Sequence, residues 1–229
     1  MSVARLSYTL FCGLLVALLT GCPAKIPEKK IEFVYLALGA SDATGVGALP
    51  MTEGYVYLIK RELDTRMSGV ALLNLGVPGA RIDLIKEQVR IAHQARTRAN
   101  LITVWTGGND LVHGDAPAGF QADLRRLLEF AKDISPVIVI ANLPDLTLLP
   151  RFKAEQTPTV TMPRIQAFNK AIAEEARRAD ARLVDLFAQP VQESLVWDVD
   201  GFHPNDAGHR ELARLFLQQI LPALKLRAA

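Results

Sequence analysis

Three short apolar runs each stop at a glycine-bearing turn: Phe33–Leu38 before Gly39, Val70–Leu75 before Gly76, and Leu101–Thr106 before Gly107-Gly108. Apolar runs of this length, bounded by turn signals, read as buried strands. The stretches between them have helical periodicity. In Arg81–Arg98, Ile82, Ile85, Val89 and Ala92 recur at three- and four-residue steps while Lys86, Glu87, Arg90 and Arg96 take other positions. A parallel strand pair needs a crossover of a dozen or more residues, usually a helix, so this alternation predicts a parallel sheet with helices on its faces. Further helices are expected around 54–65, 120–132, 164–179 and 206–224, and further strands around 137–141 and 182–186. The predicted fold is therefore a three-layer α/β/α sandwich, doubly wound around a five-stranded sheet of flavodoxin-like order.

Open parallel sheets collect ligands at the carboxyl ends of their strands. Ser41, Gly79 and Asn109 each follow one of the three runs and so face one mouth. Asp200 and His203 lie in the turn-rich stretch DGFHPND, after the run Arg182–Phe187, where a loop can reach the same place. Serine becomes a nucleophile when a base takes its proton, and a carboxylate that holds the base fixes its tautomer. Asp200, three residues from His203, suits that task, leaving Nε2 for Ser41. The backbone amides of Ser41 and Gly79 and the Asn109 side-chain amide are the candidate oxyanion donors. Gly76 competes with Gly79, and Gly79 is favoured because it stands further into its loop. Asp198 is the alternative orienting acid. His93 and His113 receive no role.

Taken singly, each of these residues has a plain structural explanation as a cap, a turn or punctuation. Their conjunction points to a hydrolase. Of the serines after residue 22, which are Ser41, Ser68, Ser135 and Ser194, only Ser41 follows a strand and precedes a glycine-rich loop.

Half of the 229 residues are apolar and the formal charge is +2, which suits one globular domain with a full core. The basic residues are dispersed through the helices without aromatic interleaving, which speaks against nucleic acid. Gly39, Gly45 and Gly47 match neither a dinucleotide fingerprint nor a P-loop. The donors Asp200, His203, Asp206 and His209 are weighed as metal ligands and set aside, so no metal is assigned. GASDA lacks the final glycine of the α/β-hydrolase elbow.

Residues 1–22 read as a targeting segment: Arg5, an apolar core Leu10–Leu19 too short to span a bilayer, and Leu19-Thr20-Gly21-Cys22. LTGC resembles the bacterial lipobox, in which the cysteine is lipidated and anchors the mature chain. The expected organisation is a signal peptide (1–22), a tether (23–31) and a catalytic domain (32–229), exported to the cell envelope. Removal of Cys12 leaves one cysteine, so no internal disulfide is expected.

Four blocks in order, LALGASDATGVGA, NLGVPGARI, TGGND and DGFHPNDAGH, resemble those of the SGNH (GDSL) hydrolases over nearly all of the chain after the tether. The resemblance implies a three-layer α/β/α fold, no metal or organic cofactor, and hydrolysis of esters or thioesters through an acyl-enzyme. One departure is local: GDSL reads Gly39-Ala40-Ser41-Asp42 here. The alternatives on the same fold are acyl transfer to an alcohol, or an envelope protein that binds acylated glycans or lipids without turnover. Leu143–Pro163 is read as one long irregular connection. Its Leu146, Leu149 and Phe152 are candidates for an acyl pocket, with a small-molecule, lipid or glycan ester as the partner of a monomeric, membrane-anchored enzyme.

Overall fold

The computed structural model of the chain describes residues 30–226. The targeting segment, Cys22 and most of the tether lie outside the described residues. Five strands, β1 (Phe33–Gly39), β2 (Val70–Asn74), β3 (Leu101–Trp105), β4 (Ile138–Ala141) and β5 (Arg182–Val184), form an all-parallel sheet in the order β2-β1-β3-β4-β5. That is the doubly wound order expected from the sequence.

Alternation along β1 divides the core. Leu36 and Leu38 face one layer with Ile102, Val104 and Ile140, and Tyr35 and Ala37 face the other with Leu101 and Val139. The first layer is covered by α3 (Ile82–Gln94), α5 (Pro117–Ile134) and α7 (Met162–Arg178), the second by α2 (Tyr55–Arg66) and α8 (Asp206–Ala223). Three short helices complete the set: α1 (Ser41–Thr44), α4 (Gly108–His113) and α6 (Pro150–Glu155).

Among the differences from the sequence reading, three have a clear local reason. α3 stops at Gln94 because its apolar stripe ends at Ala92, and Arg96 turns the chain with φ 55°. β5 stops at Val184, since Asn142 Oδ1 accepts from the Leu186 and Phe187 amides that would have continued the ladder. Leu143–Pro163 is not irregular: it holds a 3₁₀ turn (Leu146–Leu148) and α6, which begins at Pro150, where proline's missing N–H and fixed φ are no handicap.

Candidate active site

β1 delivers Ser41 to the sheet's carboxyl edge as the first residue of α1, 6% exposed. The loop before α8 brings His203 to it across 162 residues, and the Ser41 Oγ to His203 Nε2 distance is 2.7 Å. His203 Nδ1 lies 2.5 Å from Asp200 Oδ2. Asp200 Oδ1 accepts from the Phe202 and His203 amides at 2.9 and 3.0 Å. Burial pushes the Asp200 carboxyl up, but the hydrogen bonds from His203 and the two amides outweigh it and hold the group below its ordinary value. Its negative charge keeps the imidazole proton on Nδ1 and leaves Nε2 able to accept from Ser41.

The loop is pinned at both ends. Trp197 N–H donates to the His203 carbonyl at 2.7 Å, Val196 bridges Pro204, and Asn205 caps α8 by accepting from the Ala207 and Gly208 amides. An imidazole held this way loses little freedom when it reacts.

Gly79 and Asn109 stand on the neighbouring turns. Gly79 adopts φ 78°, a conformation that favours glycine, and a Cβ there would meet nothing within 4 Å. Glycine at this position therefore has a backbone reason beside its place in the loop. The competing Gly76 donates its N–H to Asn74 Oδ1, whereas among the described residues the Gly79 N–H has no acceptor. Asn109 Nδ2 donates one hydrogen to the Ala80 carbonyl at 2.9 Å, which orients the amide and leaves the second hydrogen for a ligand.

Behind these groups a cleft runs along the sheet's carboxyl edge, from Asn109 and Leu143 past Trp105 and Thr106 to Leu212 and Leu215 on α8. Leu146 and Leu149 line it. Phe152 does not: it is packed behind Phe202, ring to ring at 5.5 Å, and Phe202 forms the wall. Sequence reasoning missed Trp105, Thr106 and the segment from Leu186 to Val196, which share the cleft. The only local signal was position, since Trp105 and Thr106 end a strand that reaches the mouth.

Asp42 also lines the cleft, and burial raises its carboxyl pKa despite the nearby His203 and His209. His209 is fully buried: its Nδ1 accepts from the Tyr55 amide at 3.2 Å and its Nε2–H donates to the Val46 carbonyl at 3.0 Å. It is a packing residue with both nitrogens engaged. His113 sits at the surface with Arg81 and Asp115, and His93 pairs with Asp133. Asp198 is exposed and lies outside the Asp200–His203 contact.

Comparison with known proteins gives one consistent picture. The family described as GDSL-like Lipase/Acylhydrolase matches residues 37–211. Esterase TesA of Pseudomonas aeruginosa is 24% identical over 219 residues, covering 91% of this chain and 96% of its own. Among solved structures, the psychrotrophic esterase EstA from Pseudoalteromonas sp. superposes with a TM-score of 0.66 at 18% identity, covering 84% of this chain and 98% of its own. The acetylxylan esterase Axe2 from Geobacillus stearothermophilus gives 0.66 at 19% identity, covering 83% and 94%.

Proposed function

The chain belongs to the GDSL-like lipase/acylhydrolase family, and from that premise we propose that it is a serine esterase in which Ser41, His203 and Asp200 form the triad. The single observation that carries the assignment is the continuous contact from Ser41 Oγ to His203 Nε2 and from His203 Nδ1 to Asp200 Oδ2. His203 takes the Ser41 proton as Oγ attacks the ester carbonyl, and Asp200 stabilises the imidazolium that results. Charge then develops on the carbonyl oxygen. The amides of Ser41 and Gly79 and the free Asn109 Nδ2 hydrogen receive it. Collapse expels the alcohol with the proton from His203. Water, deprotonated by the same imidazole, releases the acid and restores Ser41.

The apolar walls around Leu146 and Leu149 support an acyl group of some length as the part that enters the cleft. Leu19-Thr20-Gly21-Cys22 supports export and a lipid anchor at Cys22, which would hold the enzyme at a bacterial envelope membrane.

The test is hydrolysis of a p-nitrophenyl ester series, acetate to palmitate, by the full chain in detergent beside Ser41→Ala and His203→Ala. Each variant should lose several orders of magnitude in kcat. Turnover indifferent to Ser41 overturns the assignment and favours a binding role.

A further inference from the structure

The turn at Gly79 is not held by packing at that residue: an added Cβ would meet no atom within 4 Å. The direction of its amide is set instead by bonds to the neighbouring residues of the turn. Three successive residues after it are each held by α4 or by the segment that follows α4. The Ala80 carbonyl accepts from Asn109 Nδ2 at 2.9 Å, and the Ile82 N–H donates to Asp110 Oδ1 at 3.0 Å. Between them, Arg81 Nη1 donates to Asp115 Oδ1 and Oδ2 at 3.1 and 3.0 Å. Unlike the bond to Asp110, this last contact is partly exposed on both sides.

Asp115 is itself fixed from two directions. Its N–H donates to the Asp110 carbonyl at 2.9 Å, and its carbonyl accepts from Arg164 Nη2, on α7, at 2.8 Å. Arg164 Nε donates to the Thr159 carbonyl at 2.9 Å, and Thr159 Oγ1 donates to the Val112 carbonyl of α4 at 2.6 Å. His113 Nδ1 stands outside the pair, 2.9 Å from Arg81 Nη1 and 2.8 Å from Asp115 Oδ1. The carboxylate therefore belongs to a frame built from α4 and α7, while Arg81 belongs to the turn, two residues from Gly79.

We propose that Arg81 and Asp115 are positioning residues for the oxyanion hole, their ion pair carrying the fixed geometry of α4 and α7 to the turn that bears the Gly79 amide. The proposal rests on the serine-esterase assignment. A partly exposed ion pair contributes little to overall stability, because water solvates both charges when they part. Its contribution to position is a separate quantity. Oxyanion donors act by being aimed in advance, so an amide set loose by a small displacement stabilises the transition state less while ground-state binding is unchanged. Removing a whole donor costs about 10² to 10³ in kcat, and loosening one should cost less, about tenfold.

The experiment measures kcat, KM and Tm of the full chain in detergent on p-nitrophenyl butyrate, for wild type, Arg81→Ala, Asp115→Ala and the double variant. It adds inhibition by phenylboronic acid, whose adduct with the nucleophilic serine places an oxygen at the oxyanion site. Each single variant should lose about tenfold in kcat with KM within about twofold of wild type, and the boronate inhibition constant should rise by a similar factor. Tm should stay within about 3 °C of wild type. The double variant should be no worse than either single one, since both remove the same contact. Arg81→Lys, which can still reach Asp115 with one donor, should recover part of the loss, and with Asp115→Asn it gives the same comparison if an alanine variant does not fold. Turnover within twofold of wild type in both single variants overturns the positioning role. Losses that multiply in the double variant overturn it as well, and a raised KM with unchanged kcat overturns it by making Arg81 a substrate contact. All three outcomes leave the esterase assignment standing. Wild-type turnover that survives Ser41→Ala removes that assignment and the positioning role with it.

Discussion

The Asp110 carboxylate caps α3 across 28 residues: its Oδ1 accepts from the Ile82 N–H at 3.0 Å. Together with the bond from Asn109 Nδ2 to the Ala80 carbonyl, this contact ties the turn that carries Asn109 to the turn that carries Gly79, where both proposed oxyanion donors stand. Asp110 Oδ2, also buried, has no partner among the described residues, and burial pushes the carboxyl up to about 6.

A pH-dependent stability follows. A carboxyl whose folded pKa lies above its unfolded value binds more protons in the folded state between the two values. The contribution of Asp110 to stability is therefore greatest below about 4 and declines as pH rises to about 6, by up to about 3 kcal/mol for a shift of this size. Asp110→Asn, which keeps an acceptor for Ile82 but cannot ionise, should remove that slope. Relative to wild type its Tm should be higher at pH 7 than at pH 4. Parallel Tm curves for the two proteins would refute the account.

The strands and the four blocks were legible in the sequence because each is written locally, as an apolar run followed by its turn. The path from Ser41 to His203 was legible for a related reason: parallel topology sends every strand's end to one edge. What was hidden depends on distant segments. His209 looked like a residue of the last helix, yet both its nitrogens are taken by Tyr55 and Val46, more than 150 residues earlier. The cleft beside α8 was hidden likewise, since Leu186–Val196 carries no periodic pattern. α6 was missed although Pro150 at its first position is a start signal, because six residues are too few to show helical periodicity.

Asp200 and Asp198 are two residues apart, but only Asp200 touches His203. Asp200→Asn should lower kcat by roughly 10³ to 10⁴, since an amide can fix the wrong tautomer and does not stabilise the imidazolium. Asp198→Asn should stay within about twofold of wild type, as expected of an exposed residue without a site contact. Equal losses in the two variants would reject the choice of Asp200. Because its pKa is held below the ordinary carboxylate value, its charge contributes stability above the unfolded pKa, and that contribution is lost only as pH falls through the lower folded value. Loss of activity at mildly acid pH is thus assigned to another group.

Two glycines at the mouth share a left-handed backbone but differ in what surrounds them. At Gly47, φ is 94° and an added Cβ would lie 2.1 Å from the Pro204 carbonyl oxygen and 3.3 Å from the His203 Cβ. At Gly79, φ is 78° and the space is open. Gly79→Ala should therefore cost about 1 kcal/mol of stability, the strain of the conformation alone. Its kcat should fall further than that suggests, because its amide is a proposed oxyanion donor and its displacement weakens binding at the transition state. Gly47→Ala adds a steric collision to the same strain and should cost about 3 kcal/mol or more. Relief of that collision moves Pro204 and with it His203, so both Tm and kcat should drop. Urea unfolding beside ester hydrolysis on both variants separates the cases. A Gly47→Ala protein with wild-type stability and turnover would show that the His203 loop yields freely, contrary to the pinning by Trp197 and Asn205.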